Sequence, residues 1–596
     1  MPLTPSPLVA AGLASFEILA DGKLLNGLYR IAGARVTKGI NSIASASFEV
    51  IDGDPATGNF LTADASLLLP GTAITVKAGY DDKNELLFTG VITKLGIVSQ
   101  GAQGMKVSVE CRDKAFKTSE ERKSTVFENK STSDALTEII GTYAGISADI
   151  KATTKQHAEL VQCENFDWDF IVTQAEANGH IVLNDLNTIS TVEPSTAGPD
   201  VLTLEYGINV FGFSLDLDAR TQHTSVKASA WDPKQQKMLE VTAAATPLVA
   251  PGSATAASLA AATGGGTYHM HTTAAVDQES LQSLADALLV KLTLAKVKGS
   301  VEIPGTALAK PGCTVSLSRL GKEFSGRAFV SEVTHTLGSD WKTQLTLGMQ
   351  ENWFAQTKPA VASVTAAAST LPPVTGLFTA VVQQVDEDPN KEFRVQVLVP
   401  AWGKMLWARL AHSYATLAAG QYLYPEVKDE VILGFFGGDQ RAPVILGALH
   451  SSTRPPAYPP DKKNTKKGIV TAGKLTLEFD DDQKIITLKT PQGNKLVISD
   501  AAKGVKLTDE QENTITLEKA GITLESKSAL TIKAAKDLVL ESTGGSISLQ
   551  AATSLNIKGQ KVSVAGQTSL ELTSKATAKL TATAPLTIKG LAVLIN

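Results

Sequence analysis

Leu530-Thr531-Ile532, Leu538-Val539-Leu540, Ile547-Ser548-Leu549, Leu555-Asn556-Ile557, Val562-Ser563-Val564 and Leu570-Glu571-Leu572 form a series of apolar-x-apolar triplets. Each triplet puts two side chains on one face of a short strand, because successive strand residues point to opposite faces. Read outward, the first residues fall at Leu475, Ile486, Leu496, Val505, Ile515 and Ile522, and later at Ala578 and Leu586. The early spacings are 11, 10, 9 and 10, and the later ones lie between 7 and 9. A repeat of eight is too short for a full turn of a three-sided helix made by one chain. A single chain would leave its strands unpaired along both edges. Three interleaved chains remove that problem, since each face is then laddered by strands from all three and the apolar pairs fill a thin axial core. The repeat therefore predicts a homotrimeric β-prism over residues 468–596. Its core is Ile515, Leu517, Ile522, Leu524, Leu530, Ile532, Leu538, Leu540, Ile547, Leu549, Leu555, Ile557, Val562, Val564, Leu570 and Leu572. An ordinary sandwich or a monomeric solenoid is the competing reading.

The segment 468–596 has one aromatic residue, Phe479, and no Arg, Cys, Met, His, Trp or Tyr. Upstream, a polar linker spans 453–467. Before it, five short strand patterns occupy about 75 residues: Phe378–Val385, Phe393–Val399, Trp407–Leu410, Glu430–Phe436 and Pro443–Gly447. That density predicts a small closed barrel such as an OB-fold. Residues 359–374 form a Pro/Ala/Ser/Thr linker.

Residues 1–358 read as mixed β with a few helices. Ser131 caps one predicted helix that Gly145 ends, a second runs from Asp167 to Ala177, and a third starts at Asp277. The Ala/Thr/Gly-rich stretch 242–274 reads as a mobile insertion. A faint repeat is also present. Pro70-Gly71, Phe88-Thr89-Gly90 and Val107-Ser108-Val109 align with Pro311-Gly312, Phe324-Ser325-Gly326 and Leu345-Thr346-Leu347. It predicts a duplicated β-barrel module.

The 596-residue chain has 55 Lys+Arg against 60 Asp+Glu, a net charge of −5, which argues against nucleic acid as a partner. Its 43% hydrophobic content excludes wholesale disorder. Cys111, Cys163 and Cys313 are too far apart for a disulfide framework and read as buried free thiols. The start, with Pro2, Pro5 and Pro7 and no basic residue, does not read as a Sec signal. No stretch of about 18 unbroken apolar residues predicts a membrane helix.

Three groups of residues carry a resemblance. The first is Glu164-Asn165-Phe166-Asp167-Trp168-Asp169-Phe170-Ile171 followed by Ala175-Glu176-Ala177-Asn178-Gly179. The second is His412-Ser413-Tyr414-Ala415, Gln421-Tyr422-Leu423-Tyr424-Pro425-Glu426-Val427 and Pro443-Val444-Ile445-Leu446-Gly447. The third is the ending from Leu586 to Asn596. In this order the chain resembles the VgrG-type central spikes of contractile injection systems, a fusion of phage hub and spike proteins. The Gln421–Val427 run is closer to the extracellular phage-tail-like branch. The resemblance implies a mainly β, multidomain chain. A phage-hub-like domain spans 1–358, with barrel modules at about 1–115 and 200–358 and a helical insert between them. An OB-fold domain over 375–452 and a needle over 468–596 follow.

The implied function is structural: the spike caps the inner tube and pierces the target envelope when the sheath contracts. The implied partners are two further copies of the chain, tube and baseplate proteins at the hub, and transiently the target membrane. A PAAR-type tip protein would dock on Val593, Leu594, Ile595 and Asn596. Two modules in each of three protomers would match a six-fold tube. The chain would be made in the bacterial cytoplasm without a signal peptide and released within an extracellular particle.

No catalytic set is legible and no cofactor is expected. About 18 residues separate Leu449 from Gly468, too few for a cell-wall hydrolase domain. His269-Met270-His271 lacks further ligands in register and reads as a solvated loop. Asp480-Asp481-Asp482 lacks the spaced ligands of a calcium loop and reads as a turn. Gly264-Gly265-Gly266 has no following Lys-Ser/Thr, so it is no phosphate loop. Arg409 and His412 read as structural. The alternatives are a trimeric tail-fibre-like adhesin, disfavoured by the scarcity of aromatics in the needle, and a spike with a concealed cell-wall hydrolase activity.

Overall fold

The structure, a computed structural model, describes residues 12–357 apart from 55, 64–65, 100–104, 233–234, 245–247 and 273–275, and residues 374–595. Linker residues 359–373, the docking residue Asn596 and parts of the 242–274 stretch lie outside the described residues. The chain divides into two compact units, Met1–His450 and Ser451–Asn596.

The first module uses β1 (Ala14–Ala20), β2 (Lys23–Leu24), β3 (Ile31–Gly39), β4 (Ser45–Ile51), β5 (Ala73–Tyr80), β6 (Lys83–Ser99) and β7 (Met105–Arg112). Alternation sets the core: Ile74, Val76 and Ala78 of β5 point inward while Thr75 and Lys77 do not. They pack with Phe48, Phe88, Ile92, Val107 and Val109.

An insert follows, with β8 (Arg122–Ser131), α1 (Thr132–Gly141), β9 (Ser147–Ile150), β10 (Gln156–Phe166), α2 (Asp167–Ala177), β11 (Ile181–Asp185) and β12 (Thr188–Val192). Ser131 forms a capping box with Asp134, as its position before the apolar run predicts. The helix ends at Gly141, ahead of the expected stop at Gly145.

The second module is β13 (Leu202–Glu205), β14 (Gly212–Leu217), then, after an excursion, β18 (Val297–Pro304), β19 (Thr314–Ser318), α5 (Gly321–Phe324), β20 (Gly326–Leu337) and β21 (Trp341–Leu347). The excursion holds β15 (Ser225–Asp232), β16 (Lys237–Thr242), α3 (Ala256–Thr263), β17 (Thr267–Thr272) and α4 (Gln278–Leu294). The stretch read as a mobile insertion thus contains a helix and a strand. Thr255 caps α3 in a capping box, and β17 pairs in parallel with β15. Alanine is the strongest helix former, so a run rich in it can be ordered. His269 and His271 therefore sit on a strand rather than a loop.

Both modules share one topology. The order β3-β4-β7-β6-β5 is matched by β14-β18-β21-β20-β19 within a single 13-stranded sheet. The agreement extends to detail. Gly71 N–H donates to Ile92 O and Gly312 N–H to Val330 O, both at 2.8 Å. The middle strand is bulged at Thr93 in one module and at Ser331 in the other. Each bulge hydroxyl donates to the equivalent carbonyl, Thr93 to Glu110 O and Ser331 to Thr346 O. One strand breaks the parallel: β1 runs antiparallel to β5, whereas β13 runs parallel to β19.

The two modules match in topology, and Gly71 and Gly312 align as expected, but the other two aligned pieces are displaced by two residues. Val76 pairs with Phe88, and its counterpart Leu317 pairs with Gly326. Phe88 is therefore equivalent to Gly326, while Phe324 ends α5 outside the strand.

The modules meet where β20 pairs antiparallel with β3, from Glu332 opposite Gly39 to Leu337 opposite Ala34. This seam is buried at Val333, His335, Leu337, Ala34, Val36 and Lys38. Burial, with the Lys38 charge nearby, pushes the His335 imidazole down to about 3, so it stays neutral there.

The OB region is a closed barrel of β22 (Phe378–Gln384), β23 (Val395–Val399), β24 (Lys404–Leu410), β27 (Glu430–Phe435) and β28 (Pro443–Leu449). A small hairpin, β25 (Ala415–Thr416) and β26 (Ala419–Gly420), lies between β24 and β27. All five predicted strands are present around Val382, Val395, Val397, Val431, Leu433 and Ile445. Cys111 is buried and its thiol is pushed up to about 12 by desolvation, but Cys163 is exposed, contrary to expectation. No helix among the described residues is long and apolar enough to cross a membrane.

Candidate functional site

The C-terminal unit opens with a seven-stranded antiparallel meander: β29 (Lys466–Val470), β30 (Thr476–Asp480), β31 (Ile485–Lys489), β32 (Lys495–Ser499), β33 (Gly504–Thr508), β34 (Thr514–Glu518) and β35 (Gly521–Glu525). Each successive hairpin turn from Lys474 to Glu512 contains a residue with positive φ: Lys474, Lys484, Gly493, Lys503 and Glu512. Asp480 is nearly buried and accepts from the N–H groups of Asp482 and Gln483, so the acidic triplet is a turn that caps itself.

Register turns the triplets into columns. Leu477, Leu488, Leu496, Leu507, Ile515 and Leu524 stand opposite one another in sequence. So do Phe479, Ile486, Ile498, Val505, Leu517 and Ile522. The column between them, on the other face, is mostly polar: Glu478, Thr487, Val497, Lys506, Thr516 and Thr523. One face is thus wholly apolar, yet in the single chain Leu488 remains 48% exposed and Ile522 72%. Covering the remaining exposed area is worth about 1 kcal/mol per side chain.

The pairing corrects one expectation. The strands whose triplets begin between Leu475 and Ile522, at spacings of seven to eleven, pair within their own chain. From Ser526 onward the spacings are seven to nine, and the behaviour changes. Residues 526–595 contain no strand, and among the described residues they make no backbone–backbone hydrogen bond. Of the expected core, Ile515 and Leu517 lie on β34, and Ile522 and Leu524 on β35. The other twelve, from Leu530 to Leu572, lie in this unladdered region and are all exposed. Val593, Leu594 and Ile595 are likewise exposed. Backbone groups outside a ladder need water or a partner strand.

The hub motif has a structural role. Asp167, buried at the start of α2, accepts from Tyr143 Oη at 2.6 Å, Gln162 Nε2 at 2.7 Å and Lys123 Nζ at 2.8 Å. The hydrogen bond to Asp167 holds the Lys123 ammonium above its usual range. Glu176 of the same motif is paired in the interior with Lys291 at 2.6 Å. Sequence reading missed that pair, although Lys291 sits on the apolar stripe of α4 beside Leu288 and Leu292, where a charge requires a partner. In the OB region Tyr422, Leu423 and Val427 of the Gln421–Val427 run are exposed, and His412 stacks edge-on to Tyr424 at 5.4 Å.

Known proteins match all three regions. Residues 10–339 match the family described as the Alg8 N-terminal domain. Residues 378–450 match the type VI secretion system/phage-baseplate injector OB domain. Residues 484–584 match the phage baseplate V C-terminal trimerisation domain. Among solved structures, a tail protein from Neisseria meningitidis MC58 is 15% identical at a TM-score of 0.43, covering 59% of this chain and 100% of its own. The 43 kDa tail protein of prophage MuSo2 from Shewanella oneidensis is 12% identical at 0.44, covering 57% and 99%. The E. coli c3393 protein, a type VI secretion component, is 12% identical at 0.38, covering 71% and 97%. No curated protein matches the chain.

Proposed function

Because the chain belongs to the family of the Alg8 N-terminal domain and has the injector OB and baseplate trimerisation domains of a VgrG-type central spike, we propose that it caps the inner tube and drives a needle through the target envelope. It is a structural spike that acts as a trimer with baseplate partners. The observation that carries the rest of this reading is the apolar repeat of residues 526–595, which makes no ladder of its own. In the proposed assembly three chains supply one another's missing strands, and the columns from Ile515 to Leu572 form the axial core. The domain division is hub 1–358, OB collar 375–452 and needle 468–596. The duplicated hub modules supply six similar units for a six-fold tube. The role is mechanical rather than enzymatic, performed by a particle assembled from cytoplasmically made subunits and released from the cell.

Light scattering on the full chain tests this directly. A mass of three chains is expected, and a monomer would sink the reading. Activity on purified cell walls, or glycan binding by the needle, would point instead to the hydrolase or adhesin alternatives.

The last residues dock the tip. Leu591, Leu594 and Ile595 are almost fully exposed in the single chain, and three copies would gather these apolar side chains into one patch. Deleting residues 591–596 is expected to leave the trimer intact, because the upstream strands remain. It should abolish co-purification of a PAAR-like tip protein. Undiminished capture by the truncated spike would place the docking site elsewhere.

A further inference from the structure

His269 and His271 carry no part of the spike reading, and the strand that holds them changes what they can do. As residues i and i+2 of β17 they project from one face, while Tyr268 and Met270 project from the other. The neighbouring strand shows which face that is. β15 runs parallel to β17, with Lys227 opposite His269 and Ser229 opposite His271. Val226, Ala228 and Ala230 are the buried residues of β15, packed with Leu281, Ala285 and Leu288 of α4. Lys227, Ser229 and the two histidines therefore share the outer face of this sheet, away from α4, and both histidines are exposed.

The spacing suits a metal ion. A rise of about 3.3 Å per residue sets the two Cα atoms about 6.6 Å apart. Imidazole nitrogens lie about 2 Å from a bound zinc ion, so two rings leaning together can hold one ion between them. Imidazole is a ligand for Zn²⁺, Ni²⁺ and Cu²⁺ rather than for Mg²⁺ or Ca²⁺, which take oxygen. The second nitrogen of one ring already has a partner: His271 Nδ1 lies 3.2 Å from Ser229 Oγ. With Nδ1–H donating to that hydroxyl, the Nε2 lone pair is left for the metal. Charge on this face is mixed. Glu240 of β16 stands opposite Ser229 in the same row, and its carboxylate favours a cation. Lys227 opposes one, but its ammonium is carried on a flexible stem at an exposed position.

We propose that His269 and His271 bind one divalent cation of the Zn²⁺, Ni²⁺ or Cu²⁺ class on the outer face of the β16-β15-β17 sheet, with water in the remaining coordination positions. Both ligands and Ser229 come from one chain, so the site does not depend on trimer assembly. The Ala/Thr/Gly-rich surroundings hid it in the sequence, because in a loop residues i and i+2 have no fixed relation. In a strand they share a face.

Calorimetric titration of the full chain with Zn²⁺ near neutral pH tests the site. One ion per chain is expected, and its affinity should fall on acidification, because protons compete for the same nitrogens. Ser229→Ala removes the outer partner of a ligand and should weaken binding roughly tenfold. His269→Ala and His271→Ala should each weaken it further. Lys227→His should tighten it at least about tenfold, since it removes a positive charge and sets a third imidazole opposite His269. All four positions lie on the outer face, so the substitutions leave the packing on α4 intact. With Cu²⁺ as the probe, electron paramagnetic resonance should show coupling to two imidazole nitrogens in the unmodified chain and to one in either histidine variant. No binding by the unmodified chain, or unchanged affinity in both histidine variants, would overturn the site. Neither result bears on the spike reading, which the light-scattering mass tests separately.

Discussion

Leu555→Asp is expected to abolish trimer assembly, while Lys536→Glu leaves it unchanged. Leu555 belongs to a triplet whose two apolar side chains share one strand face, and it is exposed in the single chain with no intrachain strand beside it. In a three-fold assembly the substitution places three carboxylates around one axis in a thin apolar core. Neither cations nor water are available there, so each unpaired charge costs several kcal/mol, and symmetry multiplies that cost by three. Lys536 lies between triplets, where a change of sign meets solvent, and surface charge changes are worth less than about 1 kcal/mol. Light scattering gives the mass and thermal melting gives the stability. Equal melting of the two variants would refute the assignment of the inward face.

Glu176→Ala is expected to destabilise the hub by about 3–5 kcal/mol, the range found when one partner of a buried ion pair is removed. Three donors converge on this carboxylate. Lys291 Nζ and Asn41 Nδ2 reach Oε1 at 2.6 and 3.1 Å, and the Phe354 N–H reaches Oε2 at 2.7 Å. Both charged side chains are more than nine-tenths buried, so removing one strands the other in the interior. The pair joins α2, α4 and the turn after β3, so its loss should loosen the insert from both modules. Glu138→Ala is the control, since its bridge to Lys130 is half exposed and should be worth less than about 1 kcal/mol. Urea unfolding monitored by tryptophan fluorescence separates the two, and similar midpoints would show that the buried pair contributes little.

Local chemistry made much of this molecule readable. Ser131 and Asp277 cap helices where their position before apolar runs placed them, because an N-cap needs only its own turn. The five barrel strands of the OB region were legible because each is a short apolar-rich run between turn signals. The hub interior was less so. Glu176 and Lys291 are 115 residues apart, and nothing local to either names the other.

The amino-acid sequence by itself determined the strand character of each segment, the helix caps, the duplication and the change from a ten-residue to an eight-residue repeat. Those properties depend on side-chain period, turn length and neighbouring donors, all of which act over a few residues. Tertiary structure alone decided register and edges. Sliding one copy of the hub repeat by two residues keeps every side chain on its original face, so alternation cannot distinguish Phe324 from Gly326 as the partner of Phe88. The bulges at Thr93 and Ser331 settle that choice, because a bulge is a relation between two strands. Whether Ile97 and His335, equivalent on their strands, are covered or open depends likewise on which strand arrives beside them. Only the folded chain supplies that neighbour.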